Sequence, residues 1–350
     1  MKLACVSLEM HPRRPFRISR GWRSEVRNVF VRLERDGVSG YGEAAPINYY
    51  DETWESVMAK IAGARDDLAT LDLQSVADIE RAWIDLWPRL APSRAAQCAL
   101  DLALWDWLAR RRGVSACELA WNAPPRPVTT FCTIGLSDQE ELIAKVAEAR
   151  DFPRIKIKAS RDASLDAVRY ARAQTKALLA VDANCAWETA DLPALSEELA
   201  RLGVAFIEQP VPPARDAELS KAGACLPLIA DESCVTEEDV DRAAGRYAGC
   251  NIKLVKCGGI TPALRMVRRC RALHLQPMVG CMLESSALIS AGAVVAQGAD
   301  YADLDGAWLL SDDPFEGWAF ERGILQPPSA PGLGLTPRGE WFPAIGSADL

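Results

Sequence analysis

Early in the chain the side chains alternate. Val29, Val31 and Leu33 interleave with Asn28, Phe30 and Arg32, the period of two that marks a strand with one covered face. Asp36-Gly37 follows as a turn pair, and a second strand is predicted over 38–43, so the two form a hairpin. From Glu52 to Leu108 the period lengthens to that of helices. Ser93 is the predicted N-cap of a helix carrying Leu100, Leu104, Trp105 and Leu108, with Arg110-Arg111-Arg112 and then Gly113 as its stop. An α+β lobe is predicted for the first ~115 residues. The segment 122–127, with three prolines, is its predicted boundary.

Beyond Pro127 short β-rich runs recur, each ending in a polar residue and each followed by a helical stretch. They cover 128–134, 154–158, 178–182, 204–208, 226–231, 250–254, 276–281 and 302–305. Helix starts are signposted by a capping box at Ser137 and Glu140, a weaker one at Thr236 and Asp239, and Thr261 as N-cap before Pro262. From Lys158 the polar strand ends fall at intervals of 24, 26, 23 and 22 residues, at Asp182, Glu208, Asp231 and Lys253. That spacing suits one strand, one helix and two loops. Eight such runs predict an α/β fold of the (β/α)8, TIM-like barrel type, whose site forms at the C-terminal ends of its strands. The expected organisation is a capping domain over 1–122, a barrel over 123–321 and a tail, 322–350, returning to the capping domain. An open doubly wound sheet is disfavoured, because its glycine-rich phosphate fingerprint is absent.

Charge and composition narrow the function. The formal net charge is −8, which lacks the positive field that nucleic acids or anionic membranes require. Two histidines, His11 and His274, are too few for a His-rich zinc site. Eleven cysteines without a CxxC pair read as reduced intracellular thiols. No signal peptide is legible, and the longest apolar tract, 95–109, carries Asp101 and Asp106 and is too short to span a bilayer. The expectation is a cytoplasmic protein acting on a small molecule, without nucleic-acid or membrane partners, with a homo-oligomer left open.

The barrel reading brings Lys158, Asp182, Glu208, Asp231 and Lys253 into one ring at successive strand ends. Three adjacent carboxylates repel one another, and a divalent cation relieves that repulsion. All-oxygen ligation selects Mg²⁺ first, with Mn²⁺ as the alternative. One carboxylate alone would read equally well as a helix cap, but three in series do not. The lysines flank the trio, so their amines sit on opposite sides of anything the cation holds. A cation-bound carboxylate loses its α-proton more readily. One lysine would remove that proton and the other return one to the opposite face, inverting the carbon. Burial and neighbouring positive charge are expected to lower the amine pKa toward the range useful to a general base.

With these residues in view, the chain resembles the enolase superfamily, muconate-lactonizing-enzyme subgroup, and within it the dipeptide epimerases of the L-Ala-D/L-Glu type. The resemblance runs through Lys156-Ile157-Lys158, Asp182-Ala183-Asn184, Glu208-Gln209-Pro210, Asp231-Glu232-Ser233, Asn251-Ile252-Lys253-Leu254 and Gly42-Glu43-Ala44-Ala45-Pro46. Sites of that superfamily use lysine or histidine bases with Mg²⁺. The likeness implies that Asp182, Glu208 and Asp231 bind the metal. It implies that Lys158 and Lys253 are the acid/base pair and that Lys156 assists near the substrate carboxylate. Asp303-Leu304-Asp305 resembles the DxD motif whose aspartates hold a dipeptide's α-ammonium. Specificity is expected from first-lobe loops, with Arg20, Trp22 and Tyr49 as substrate-binding candidates. Glu284 matches a position near the active site. The short Lys158–Asp182 interval implies a clipped second barrel helix. The expected activity is epimerisation of the second residue of a dipeptide through an enediolate.

Four alternatives remain: β-elimination or cycloisomerisation, as in o-succinylbenzoate synthase or muconate lactonizing enzyme; N-acylamino-acid racemisation; a Schiff-base aldolase; and a metal- or peptide-binding barrel without catalysis.

Overall fold

The computed structural model describes residues 1–343 except 15, 19–20 and 160–163, and for 16–18, 21–23 and 164 the backbone only. The first lobe opens with three antiparallel strands, Lys2–Met10, Val26–Arg35 and Val38–Ala44, with Val26–Arg35 in the middle. Asp36 (φ 54°) and Gly37 (φ 74°) make the turn between the last two, the backbone that a two-residue hairpin needs. The predicted helix is present as Arg94–Arg112, with the Ser93 hydroxyl accepting from the Ala96 N–H and Gly113 ending it at φ 67°.

That helix lies directly on the strand Val38–Ala44. A methyl group on Gly42 would sit 2.0 Å from the Ala99 carbonyl oxygen, and one on Gly40 2.3 Å from that of Ala103. Both obstacles are backbone and cannot swing aside. Gly42→Ala is therefore expected to lower stability by about 3 kcal/mol, the upper end of ordinary overpacking. Chemical denaturation checks this, with the midpoint falling at constant m.

Eight parallel strands follow in sequential order. They are Cys132–Ile134, Arg154–Lys158, Leu178–Asp182, Val204–Glu208, Leu228–Ala230, Gly249–Lys253, Gln276–Gly280 and Tyr301–Asp303. Phe131 N–H donates to the Ala302 carbonyl at 2.9 Å and draws the first and last strands together. Strand periodicity then sorts the interior into layers. Phe131, Ala180, Phe206, Ile229 and Met278 pack the lower level, with Tyr301 beside them. Two residues further along their strands, Asp182, Glu208, Asp231 and Asp303 reach the upper level. The barrel is thus an apolar plug with a charged mouth.

Three expectations are corrected. The run 128–134 is not one strand. Val128–Thr129 pairs antiparallel with Ile324–Gln326, and only Cys132–Ile134 enters the barrel. Ser137 is not a cap, because its hydroxyl donates to the Gly135 carbonyl while Asp138 caps the helix Gln139–Ala149. Thr261 is not the N-cap of Ile260–Ala272. Gly259, at φ 122°, takes that place and aims the helix start at Asp101 of the first lobe. Asp101 accepts from the Thr261 N–H at 3.0 Å and from its hydroxyl at 2.5 Å. The box at Thr236 and Asp239 is present. The second barrel helix is described over Ser164–Gln174, 11 residues, directly after the undescribed 160–163.

Beyond the barrel the chain runs back over the first lobe. The Leu333 N–H donates to Asp106 at 2.7 Å, Arg110 donates to the Leu335 carbonyl at 2.6 Å, and Trp341 meets Phe30 edge to face at 5.3 Å. Among the described residues no helix is long and apolar enough to cross a membrane.

Candidate active site

Parallel registry delivers the ring. Lys158 pairs in register with Asp182, and Asp182 with Glu208. Gln209 bends the chain after Glu208 at φ 35° and its side-chain oxygen accepts from the N–H groups of Asp231 (2.8 Å) and Ser233 (3.0 Å). This fixes the end of the fifth strand against the fourth. Asp182, Glu208 and Asp231 are buried, and each offers an oxygen within 4.8 Å of the others.

Four ammonium groups surround this trio. Lys158 pairs with Asp182. Lys156 Nζ lies 2.9 Å from Glu208 and 3.7 Å from Asp182, and also pairs with Asp303. Lys253 Nζ lies 2.8 Å from Asp231 Oδ2, and Lys256 Nζ lies 2.7 Å from Asp231 Oδ1. Asn251 donates to Glu208 at 2.6 Å.

The trio is electrostatically unequal. Burial opposes ionisation of Asp182, but Lys158 and Lys156 outweigh it and hold the carboxyl below its ordinary range. Asp231 is likewise held well below, by Lys253 and Lys256 against burial. Glu208 moves the other way, to about 7, because burial and the Asp182 charge together outweigh the nearby Lys156. Among the protein's own groups, Lys253 is set by burial against nearby carboxylates. Burial pushes it down, but Asp231 and then Glu208 raise it above the ordinary lysine range. Lys156 is raised well above that range for the same reason, by Asp303 and Glu208 against burial.

The two aspartates of the DxD motif are buried on the wall nearest the first strand. Asp303 accepts from the Thr133 hydroxyl at 3.1 Å, and Asp305 accepts from the Thr133 N–H at 2.6 Å. Asp305 lies past the last strand, at the start of the short helix Gly306–Leu309. Burial, and then Asp303, push its carboxyl up to about 7.

A cavity of about 1010 Å³ covers the mouth, ample for a small-molecule substrate. Lys156, Lys158, Lys253, Asp303 and Asp305 line it from the barrel, and Arg27, Tyr49 and Tyr50 from the first lobe. Tyr49 is 49% exposed at the rim and packs on Tyr50, with ring centroids 5.1 Å apart. Arg20 lies outside the described residues, as does the side chain of Trp22.

Two polar residues bonded to the site's ionised groups escaped the reading of the sequence. Lys256 is one, although a lysine between Val255 and Cys257, three residues after Lys253, signals an ammonium turned back under the strand end. Thr133 is the other, and its signal is a lone hydroxyl in the run Phe131-Cys132-Thr133-Ile134.

The donor set suits a hard divalent cation. It is all oxygen, converges from three adjacent strand ends, and concentrates like charge away from water. A parallel barrel with three such carboxylates and lysines on both sides defines an acid/base site built around a cation-binding centre.

Family comparison agrees. Residues 2–120 match the mandelate racemase / muconate lactonizing enzyme N-terminal domain, and residues 138–341 match the enolase C-terminal domain-like family. The chain belongs to this enolase-superfamily family. More particularly, it is 36% identical over 341 residues to an L-Ala-D/L-amino acid epimerase of Flavobacterium johnsoniae, covering 96% of this chain and 99% of that one. It is 37% identical to the L-Ala-D/L-Glu epimerase of Escherichia coli, covering 89% and 95%. Among solved structures, the dipeptide epimerase from Methylococcus capsulatus, complexed with Mg and L-Arg-D-Lys, superposes with a TM-score of 0.86 at 31% identity, covering 96% and 99%.

Proposed function

We propose that this chain is a Mg²⁺-dependent dipeptide epimerase that inverts the α-carbon of the second residue. The observation that carries the reading is the pairing of Lys158 and Lys253, on the second and sixth strands, with the carboxylate trio between them. Asp182, Glu208 and Asp231 would hold the ion, which supplies positive charge to a substrate carboxylate and so makes the neighbouring C–H bond more acidic. Asp303 and Asp305 would accept from the dipeptide's α-ammonium, a charge-assisted contact that fixes the second residue over the trio. Lys156 would donate near the substrate carboxylate.

Proton transfer then belongs to two nitrogens. The Nζ of one lysine takes the α-proton as the C–H bond breaks, and the Nζ of the other delivers a proton to the opposite face. In the reverse direction the roles exchange. Below the site Phe131 and Phe206 pack edge to face, with ring centroids 5.7 Å apart, in the apolar layer of the barrel. A related lyase or N-acylamino-acid racemase would have no use for two buried aspartates facing an ammonium. The eleven free thiols support a cytoplasmic setting.

A library of L,L-dipeptides incubated with enzyme and Mg²⁺ in D₂O tests the reading. Substrates should gain one mass unit at the second residue and form the L,D epimer. Absence of both across the library would refute it. Asp305→Asn should raise KM for dipeptides by about tenfold to a hundredfold, the worth of one hydrogen bond to a charged group. Steady-state kinetics checks this, and an unchanged KM would remove the ammonium contact from the account.

A further inference from the structure

The turn formed by residues 281–285, after the seventh barrel strand, is pinned by two buried acids that play no part in the proton transfers above. Glu284 is 3% exposed, and its Oε1 accepts from the Met282 N–H at 2.9 Å. Met282 in turn rests its Sδ 3.9 Å from Lys253 Nζ. The other end of the turn is held from the first lobe. Glu43, fully buried, accepts from the Ser285 N–H at 3.0 Å and the Ser285 hydroxyl at 2.5 Å. It also accepts from the Leu288 N–H at 3.2 Å and from Asn28 at 2.7 Å, and Asn28 donates onward to the Leu283 carbonyl at 3.2 Å. From a third side Gly306 closes on the turn, since a methyl group there would lie 2.6 Å from the Met282 carbonyl oxygen.

Burying two carboxyl groups this close together is costly. Burial pushes Glu43 up to about 7, and burial together with the Glu43 charge pushes Glu284 up to about 8. A turn that needed only backbone support could use an amide or a hydroxyl. These bonds lead instead to one particular amine. They run from the first-lobe sheet through the turn to Met282 and Lys253, and none of them involves Lys158.

We propose that Glu43 and Glu284 form a brace between the first lobe and the barrel that positions Met282 against Lys253, and so fixes the Nζ of that lysine on its own face of the substrate. Both are positioning residues. The inference rests on the two-lysine reading above, and it makes a face-specific demand that a general contribution to folding does not make.

The test measures α-proton exchange in D₂O separately for the L,L and L,D epimers of one dipeptide, using the Mg²⁺-loaded enzyme. The isomer facing Lys253 is the one whose exchange Lys253→Ala removes. Glu284→Ala should slow exchange of that isomer by about tenfold to a hundredfold, the usual cost of a misplaced reacting group. Exchange of the other isomer should stay unchanged. Glu284→Gln retains an oxygen for the Met282 N–H and should recover most of the loss. Met282→Ala leaves both acids in place and should reproduce the one-sided defect even if Glu43→Gln fails to fold. Equal losses on both faces, or no loss in either Glu284→Ala or Met282→Ala, would overturn the brace alone. No exchange by the wild-type enzyme with any dipeptide would overturn the two-lysine reading and the brace with it.

Discussion

Lys158→Ala and Lys253→Ala should each abolish epimerisation, with turnover falling by about 10²–10⁴-fold, the usual contribution of a positioned acid or base. Inversion needs both nitrogens, so either loss is sufficient. Exchange of the α-proton with solvent needs only the lysine on that proton's side. Each variant should therefore keep exchange for one epimer and lose it for the other, and the two variants should be complementary. The geometry gives the reason. Lys158 ends the second strand and Lys253 the sixth, and each pairs with a different member of the trio. A shared face would make both variants lose exchange of the same epimer. Mass spectrometry of the recovered epimers after incubation in D₂O reads the difference.

Removal of the divalent cation carries the second large effect. A cation stabilising charge at the reacting carboxylate contributes several kcal/mol, so chelation should reduce activity by about 10³-fold or more. Mg²⁺ should restore activity, and Mn²⁺ should substitute for it. A second readout is independent of turnover. An ion that binds only the folded chain raises its stability, by about 2.7 kcal/mol at a hundredfold excess over Kd. Glu208→Gln removes one ligand charge and should blunt the rise in Tm with added Mg²⁺. A Schiff-base aldolase built on the same lysines would keep its activity in EDTA, and borohydride with a keto substrate would trap its lysine.

The barrel was legible because its period was. Polar residues recur after short apolar runs at Lys158, Asp182, Glu208, Asp231 and Lys253, and parallel registry turns equal spacing into one ring. What escaped depended on contacts between distant segments. Nothing near Thr261 reveals that Asp101, 160 residues earlier, satisfies that helix start. Nothing local separates Val128–Thr129 from the barrel, because its partner is Ile324–Gln326. Ser137 and Asp138 are adjacent capping residues, and pattern cannot choose between them. The carboxylates that fold beside Lys253 raise its amine against burial, a contribution that the residues around Lys253 in the sequence do not reveal. Lys158 follows from the strand-end spacing, and Lys156 from the Lys156-Ile157-Lys158 motif that carries the resemblance. Lys256 was missed because its reach back to Asp231 is a property of the chain turning after the strand, through Leu254–Cys257.

The most direct test is a crystal structure of the enzyme with Mg²⁺ and an L,L-dipeptide that it epimerises. One ion should be ligated by Asp182, Glu208 and Asp231 and should contact the substrate carboxylate. The α-carbon of the second residue should lie between the Nζ atoms of Lys158 and Lys253, each about 3–3.5 Å from it on opposite faces. Both amines on one face of that carbon, or an ion bound away from the trio, would contradict the account.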